Sequence, residues 1–318
     1  MGGPLCVGVT GASGFVGSAL LERLACDRYN VVALMRCPSA WRLATARIVG
    51  DLERAEGLTD ALNGVDVLIH LAARAHVMRE CGSDALSQYR SVNVDGTLRL
   101  ATAAVAAGVK RIVFVSSIKV NGECTTARPF TASDEPAPQD AYGVSKWEAE
   151  TVLQQIAGES DLEVTIIRPP LVYGPLVKGN LRRLSSIVQR GLPLPFGAVS
   201  NRRSLISVYN LCDLLVRCIE HPAAAGQTFL ASDGEDLSTP DLIREIATAM
   251  SRPARLWPVP VAILRFAGRI TGRRDEIDRL CGSLQMDITK AHDLLDWHPP
   301  LSVREGFRRA MHRSIANS

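Results

Sequence analysis

Tyr142 and Lys146, four residues apart in Tyr-Gly-Val-Ser-Lys, are the first candidates for chemistry in this sequence. On a helix that spacing puts both on one face, so a phenol and an ammonium share a site. A neighbouring cation favours phenolate and lowers a tyrosine pKa that stands near ~10 in water. Tyr142 is then a proton donor or acceptor near neutral pH. A serine pair ends an apolar run upstream, in Phe114-Val115-Ser116-Ser117. Open α/β sheets bind ligands at the carboxyl ends of strands, so Ser117, or Ser116, is placed to hydrogen-bond a substrate hydroxyl or carbonyl. A third cluster, Gly11-Ala12-Ser13-Gly14-Phe15-Val16-Gly17, lies between an apolar run and an amphipathic stretch. Glycines so spaced turn the chain tightly and let its backbone approach a pyrophosphate. The following helix N-terminus offers free N–H groups and partial positive charge. Gly11, Ser13, Gly14, Phe15, Val16 and Gly17 are therefore candidate dinucleotide contacts.

These groups need a scaffold, and the rest of the pattern supplies one. Apolar runs at residues 6–10, 30–34, 67–71, 111–116 and 164–168 alternate with helical periods at 17–25, 58–62, 85–107 and 142–156. Near-continuous apolar strands between helices predict a parallel sheet covered on both faces, wound right-handed into a Rossmann lobe. Prolines and glycines punctuate residues 169–197, where the texture changes. The expected division is a dinucleotide domain of residues 1–168 plus about 204–230, and a smaller substrate lobe of 169–203 and 231–318. Residues 204–219 are expected to return to the main sheet. In the lobe, Thr239 is expected to cap a helix that Pro240 and Asp241 begin.

A net charge of +3 is too small to argue for nucleic acid. The cysteines show no CxxC pair, and no Cys/His cluster has ligand spacing, so reduced thiols and no metal are expected. No basic segment precedes an apolar stretch at the N-terminus, and no run of 18 apolar residues occurs. The expectation is a soluble cytoplasmic protein without a membrane partner.

The glycine turn, the strand-end serine and the YxxxK together resemble the extended short-chain dehydrogenase/reductases: nucleotide-sugar epimerases, dehydratases and reductases. That resemblance spans essentially the whole chain. It implies that Ser117 and Tyr142 contact the sugar oxygen being oxidised or reduced, and that Lys146 holds the nicotinamide ribose and tunes Tyr142. It further implies cofactor contacts from Asp51-Leu52 at the adenine edge, from Leu71-Ala72-Ala73 after His70, from Asn93 and from Ser116. Asn180, Arg203 and Arg279 are implied at the sugar diphosphate, where guanidinium donors match phosphate oxygens in pairs. The family also often dimerises through two helices, for which residues 98–107 and 142–156 are candidates; their small-residue faces could equally be internal core.

Two departures narrow the reaction. Dehydratases of the family carry an acid pair after the strand-end serine or threonine, but Ile118-Lys119 stand there, which disfavours dehydration. Val120-Asn121-Gly122 replaces the usual Val-Tyr-Gly and leaves the packing of the sugar ring open. The second strand ends Val-Val-Ala-Leu-Met-Arg36 with no acid for a ribose 2′-hydroxyl, and Arg36 could pair with a 2′-phosphate, so NADP(H) is expected over NAD(H). Segments such as 168–175, 178–184, 191–197 and 232–240 resemble bacterial reductases of UDP-4-keto-6-deoxy-N-acetylhexosamines in surface-polysaccharide synthesis. The expected reaction is therefore C4-keto reduction of such a UDP-sugar. The alternative is a UDP-glucose or UDP-N-acetylglucosamine 4-epimerase with tightly bound NAD. A non-catalytic NADP(H) sensor is the remote third reading.

Overall fold

The computed structural model describes residues 3–37, 44–75, 85–175, 177 and 179–315, with side chains as far as Met311 in the last helix. The chain runs β1 (Cys6–Thr10), α1 (Phe15–Leu24), β2 (Asn30–Met35), β3 (Thr45–Ile48), α2 (Leu58–Ala61), β4 (Val67–His70), α3 (Ala85–Arg90), a π turn (Ser91–Asp95), α4 (Gly96–Ala106) and β5 (Arg111–Val115). A 3₁₀ turn (Ile118–Val120) leads to α5 (Ala141–Gly158), β6 (Glu163–Arg168), β7 (Leu171–Tyr173), α6 (Asn180–Gln189), β8 (Arg203–Ser207) and α7 (Val208–Glu220). The remainder is β9 (Thr228–Leu230), β10 (Asp236–Leu237), α8 (Thr239–Ala249), α9 (Val261–Ile270), α10 (Arg274–Cys281), α11 (Thr289–Leu295) and α12 (Val303–Ile315).

Seven strands form one sheet in the order β3-β2-β1-β4-β5-β6-β9, every pair parallel. Valine and isoleucine dominate its centre because both faces are covered. Leu20, Leu21, Leu24 and Leu211 pack on one face, and Leu100, Ala104, Ala149 and Leu153 on the other. This is the doubly wound architecture expected from the alternation. The strand order reverses direction between β1 and β4, so their carboxyl ends open a crevice at that point. The Gly11–Gly17 turn and His70 stand at those two ends.

Two expectations need correction. The segment from Ser204 does not join the main sheet as a strand. β8 pairs with β7 and β10 in a separate three-stranded sheet, while α7 packs beside α1 and β9 joins β6. An apolar run sets strand propensity but not the partner. Ser238, not Thr239, caps α8, its side chain accepting from the Asp241 N–H at 3.2 Å. Thr239 is already helical, and its hydroxyl turns to the Leu280 carbonyl. The short edge strand β3 has no apolar run of its own and follows from its pairing with β2.

Candidate active site

At the end of β1, Gly11 takes φ +65°, and a Cβ there would stand 2.8 Å from the Ala72 nitrogen. A Cβ on Gly17 would overlap the Gly11 carbonyl oxygen and sit 2.7 Å from Ala12 Cα. The turn closes with the Gly14 N–H donating to the Gly11 carbonyl at 2.9 Å. Ser13 and Gly14 are left exposed, and no side chain caps the first turn of α1. This cradle excludes side chains and presents unused N–H groups, which fits a pyrophosphate. Phe15 and Val16 are half-buried, and Phe15 reaches the chain after β7, where a Cβ on Gly174 would meet its ring at 3.1 Å.

Across the crevice, hydroxyls fix the loop after β4. Thr10 Oγ1 accepts from the Leu71 and Ala72 N–H groups, both at 3.2 Å, and donates to His70 Nδ1 at 2.7 Å. His70 Nε2 donates to Thr97 Oγ1 at 2.9 Å, because the Thr97 hydroxyl itself donates to the Asn93 carbonyl. The network therefore assigns His70 as the neutral Nε2–H tautomer, fully engaged and structural. Burial, aided by the Lys146 cation, pushes its pKa from 6.5 to about 3. Between those values the unfolded chain binds a proton that the folded chain refuses. Stability should thus fall as pH drops below about 6.5, by about 1.4 kcal/mol per pH unit from this group. Urea unfolding between about pH 7 and about pH 5 checks this: His70→Gln should lose that increment of slope.

Asn93 stands in the π turn, a geometry that often marks functional sites. It is buried rather than a surface polar residue, and it sits behind the cofactor loop. Its Oδ1 accepts from Arg74 N–H at 2.8 Å, while its amide donates to the Arg74 carbonyl and to Ser145 Oγ at 2.9 Å. Ser145 donates in turn to the Tyr142 carbonyl at 2.8 Å. Asn93 thereby ties the Leu71–Ala72–Ala73 loop, half-buried beside the cradle, to the helix bearing Tyr142. Leu52 belongs to the core, packed on Gly96, so its side chain is not free for a ligand. Asp51 is exposed beside Arg36, at 3.5 Å.

Asp140 caps α5, its Oδ1 accepting from Gly143 N–H at 2.7 Å, and its other oxygen pairs with Lys119. A Cβ on Gly143 would lie 2.9 Å from the Lys119 carbonyl, so the turn holding Ser117 packs hard against the first turn of α5. Ser117 caps the 3₁₀ turn and stays half-buried. One turn along α5, Lys146 Nζ donates to the Val115 carbonyl at 2.8 Å and lies 4.4 Å from the Phe114 ring centre. The first turns of α5, which carry Tyr142 and Lys146, thus pack against the Ser117 turn at the carboxyl end of β5. Ser116 Oγ is buried there and makes no hydrogen bond to any described residue, a donor left over for a ligand. With the glycine cradle, that hydroxyl makes the residues present fit a dinucleotide.

The electrostatics depart from expectation. Burial, then Asp140 and Tyr89, push the Tyr142 phenol above its ordinary value. Lys146 is not among the groups that shift it, and its ammonium donates to the Val115 carbonyl. Burial lowers Lys146 itself to about 7, with Glu150 pulling the other way. Tyr142 rests as a neutral phenol.

Arg203 opens β8 and donates to the carbonyls of Arg279 at 2.7 Å and Gly282 at 3.0 Å. Burial lowers its pKa. Arg279 is exposed at the end of α10, and its charge reaches Asp140, two residues before Tyr142. The structure therefore brings Arg203 and Arg279 together near the active helix. Asn180 is exposed on the first turn of α6; Lys178 just before it lies outside the described residues.

Sequence reasoning missed Thr10, Thr97, Asp140 and the Glu150–Arg168 pair. The capping rule could have found Asp140 ahead of Tyr142. Asn121, the departure from Val-Tyr-Gly, turns inward: its Oδ1 accepts from Arg168 at 2.9 Å and its amide donates to the Thr131 carbonyl.

A parallel doubly wound sheet, a glycine cradle after its first strand and a Tyr-x-x-x-Lys helix after its fifth define a Rossmann-type dinucleotide enzyme. The chain belongs to the NAD dependent epimerase/dehydratase family, whose profile matches residues 7–231. It is 44% identical over 314 residues to a UDP-glucose 4-epimerase of Vibrio cholerae, covering 96% of this chain and 94% of that one. It is 30% identical over 318 residues to the N-acetyl-alpha-D-glucosaminyl-diphospho-ditrans,octacis-undecaprenol 4-epimerase of Escherichia coli O157:H7, covering 95% and 92%. Among solved structures, MoeE5 in complex with UDP-glucose and NAD superposes with a TM-score of 0.77 at 26% identity, covering 98% of this chain and 99% of that one.

Proposed function

We propose that the protein is a 4-epimerase of a UDP-hexose or UDP-N-acetylhexosamine that retains NAD(H) through turnover. The observation that supports it is the packing of the Tyr142–Lys146 start of α5 on the Ser117 turn at the end of β5. The family and the Vibrio cholerae relative add support, and favour this reading over the keto-reduction expected from the second-half segments. The glycine cradle with Arg36, Asp51, Asn93-held Leu71–Ala73, Ser116 and Lys146 would hold the dinucleotide, which when bound supplies a reversible hydride acceptor for C4. Tyr142 exchanges a proton with the sugar O4 and Ser117 donates a hydrogen bond to the same oxygen. Arg203 and Arg279, with the start of α6 at Asn180, take the sugar diphosphate. Lys119, engaged by Asp140 and Glu123, is no acid for expelling water. A homodimer through α4 and α5 is part of the proposal, since Leu98, Val105 and Trp147 are exposed on those helices.

One observation keeps a second reading. Arg36 is 78% exposed beside Asp51 and could take a 2′-phosphate, which suits an NADPH-dependent C4-keto reductase. Purified protein separates the two. NAD(H) absorbance that survives dialysis, with interconversion of UDP-glucose and UDP-galactose or of their N-acetyl counterparts, is the expected result. An empty protein that consumes NADPH only with a 4-keto sugar would overturn it.

A further inference from the structure

The C-terminal lobe carries a surface that the reaction does not use. In α9, Ile263, Phe266 and Ile270 recur at i, i+3 and i+7 and are 56%, 65% and 71% exposed; Trp257 just before the helix is 62% exposed. No other large apolar side chain among the described residues exceeds 50% exposure. The opposite face explains why. Leu264 and Gly268 are buried, and a Cβ on Gly268 would stand 2.9 Å from Ile277 of α10. The helix is thus seated on α10 by its narrow small-residue side, and its broad apolar stripe is turned outward. A contiguous stripe of this kind marks a binding surface rather than scattered exposure.

Charge says what the surface fits. Residues 252–279 hold seven arginines (252, 255, 265, 269, 273, 274 and 279) against Asp275, Glu276 and Asp278, a net of 7 − 3 = +4 in a chain whose total is +3. The remainder of the protein is therefore net negative. Arg265 and Arg269 flank the stripe directly on α9, Arg255 lies two residues from Trp257, and Arg273 and Arg274 follow Ile270. Arg265 and Arg274 share Asp278 at 3.3 and 3.4 Å, which leaves Arg255, Arg269 and Arg273 as the border outside that pair. An apolar stripe with aromatic members and an arginine border is the pattern of a helix lying in a lipid interface, apolar face in the acyl boundary and cations at anionic headgroups. A protein partner offering an apolar groove would not call for this concentration of positive charge.

We infer that α9, with Trp257, is an interfacial helix that docks the protein on an anionic membrane surface. No described helix is long and apolar enough to cross a membrane; a helix lying in the interface does not need to be. α10 carries Arg279 at its far end, so a docked α9 would hold the diphosphate side of the site near the bilayer. The inference does not depend on which reaction the site performs.

The test is co-sedimentation of the full chain with vesicles of phosphatidylcholine and phosphatidylglycerol, and with phosphatidylcholine alone. Wild type should pellet with the anionic vesicles only, and less so as salt is raised. Phe266→Asp/Ile270→Asp should lower the bound fraction by at least ~10-fold, because two exposed apolar anchors for the acyl boundary are lost. Arg269→Glu/Arg273→Glu should weaken binding and flatten its salt dependence. Circular dichroism and thermal unfolding show that each variant is folded, which exposed positions should permit. Failure of wild type to bind either vesicle overturns the inference, as does binding that the Asp pair leaves unchanged. So does an oligomer that the Asp pair dissociates in a protein that ignores vesicles, since a second copy would then be the occupant.

Discussion

Replacing Tyr142 by Phe should lower turnover of the sugar nucleotide by about 100- to 10,000-fold, the loss expected when a positioned proton donor is removed. The fold should survive. The ring sits in the first turn of α5, edge-on to Tyr89 with centroids 6.0 Å apart, and phenylalanine keeps that packing. Dinucleotide content should also survive, because the glycine cradle, Ser116 and Lys146 are untouched. Measuring kcat and the NAD(H) released on denaturation, side by side, checks both halves. Retained turnover would move the proton work to another group, and lost dinucleotide would make Tyr142 a binding residue instead. Because burial holds the phenol neutral, donation to the C4 oxygen is the easier direction for this side chain, and abstraction is the step that needs help from the bound state.

Glu150→Leu should cost about 3–5 kcal/mol of stability, the penalty for stranding a buried charge. Glu150 and Arg168 are almost wholly buried and meet through paired contacts of 3.0 and 2.6 Å. They fasten α5 to the end of β6. Removing both charges in Glu150→Leu/Arg168→Leu should recover part of the loss, since an intact buried pair adds little over apolar packing, while the Asn121 Oδ1 that accepts from Arg168 loses its donor. Chemical denaturation of the single and double variants measures this. Activity supplies a second readout. Glu150 stands one turn after Lys146 and pulls its pKa upward, against burial that lowers it to about 7. Without the carboxylate, Lys146 should lose its proton at lower pH, so the alkaline fall in kcat/KM should begin earlier than in the parent. A purely structural role for Glu150 would lower the amount of folded enzyme and leave that limb in place.

Much of the fold and of the candidate site was legible in the sequence, for reasons of local physics. Glycine spacing between a strand and a helix dictates a turn that only one geometry satisfies, so the cradle could be read without coordinates. Tyr142 and Lys146 share a face because helical period requires it. The serine pair closes an apolar run and so must lie at a strand end. Asp140, the cap on α5, was available to the same kind of reasoning and was overlooked.

What the sequence determined by itself was therefore whatever depends on neighbours within a few residues: the five central strands, their helices, the cradle and the Tyr-x-x-x-Lys face. Tertiary structure alone decided the rest. It assigned β8 to a separate sheet, because an apolar run carries no record of its partner. It converted His70 and Asn93 into parts of a buried network, since their hydrogen bonds go to Thr10, Thr97, Arg74 and Ser145, residues up to 60 positions away. It aimed Asn121 at Arg168 and raised the Tyr142 phenol where its spacing from Lys146 had suggested the reverse. Burial and direction of a side chain are set by packing across the whole chain, and a pKa follows them rather than the distance along it.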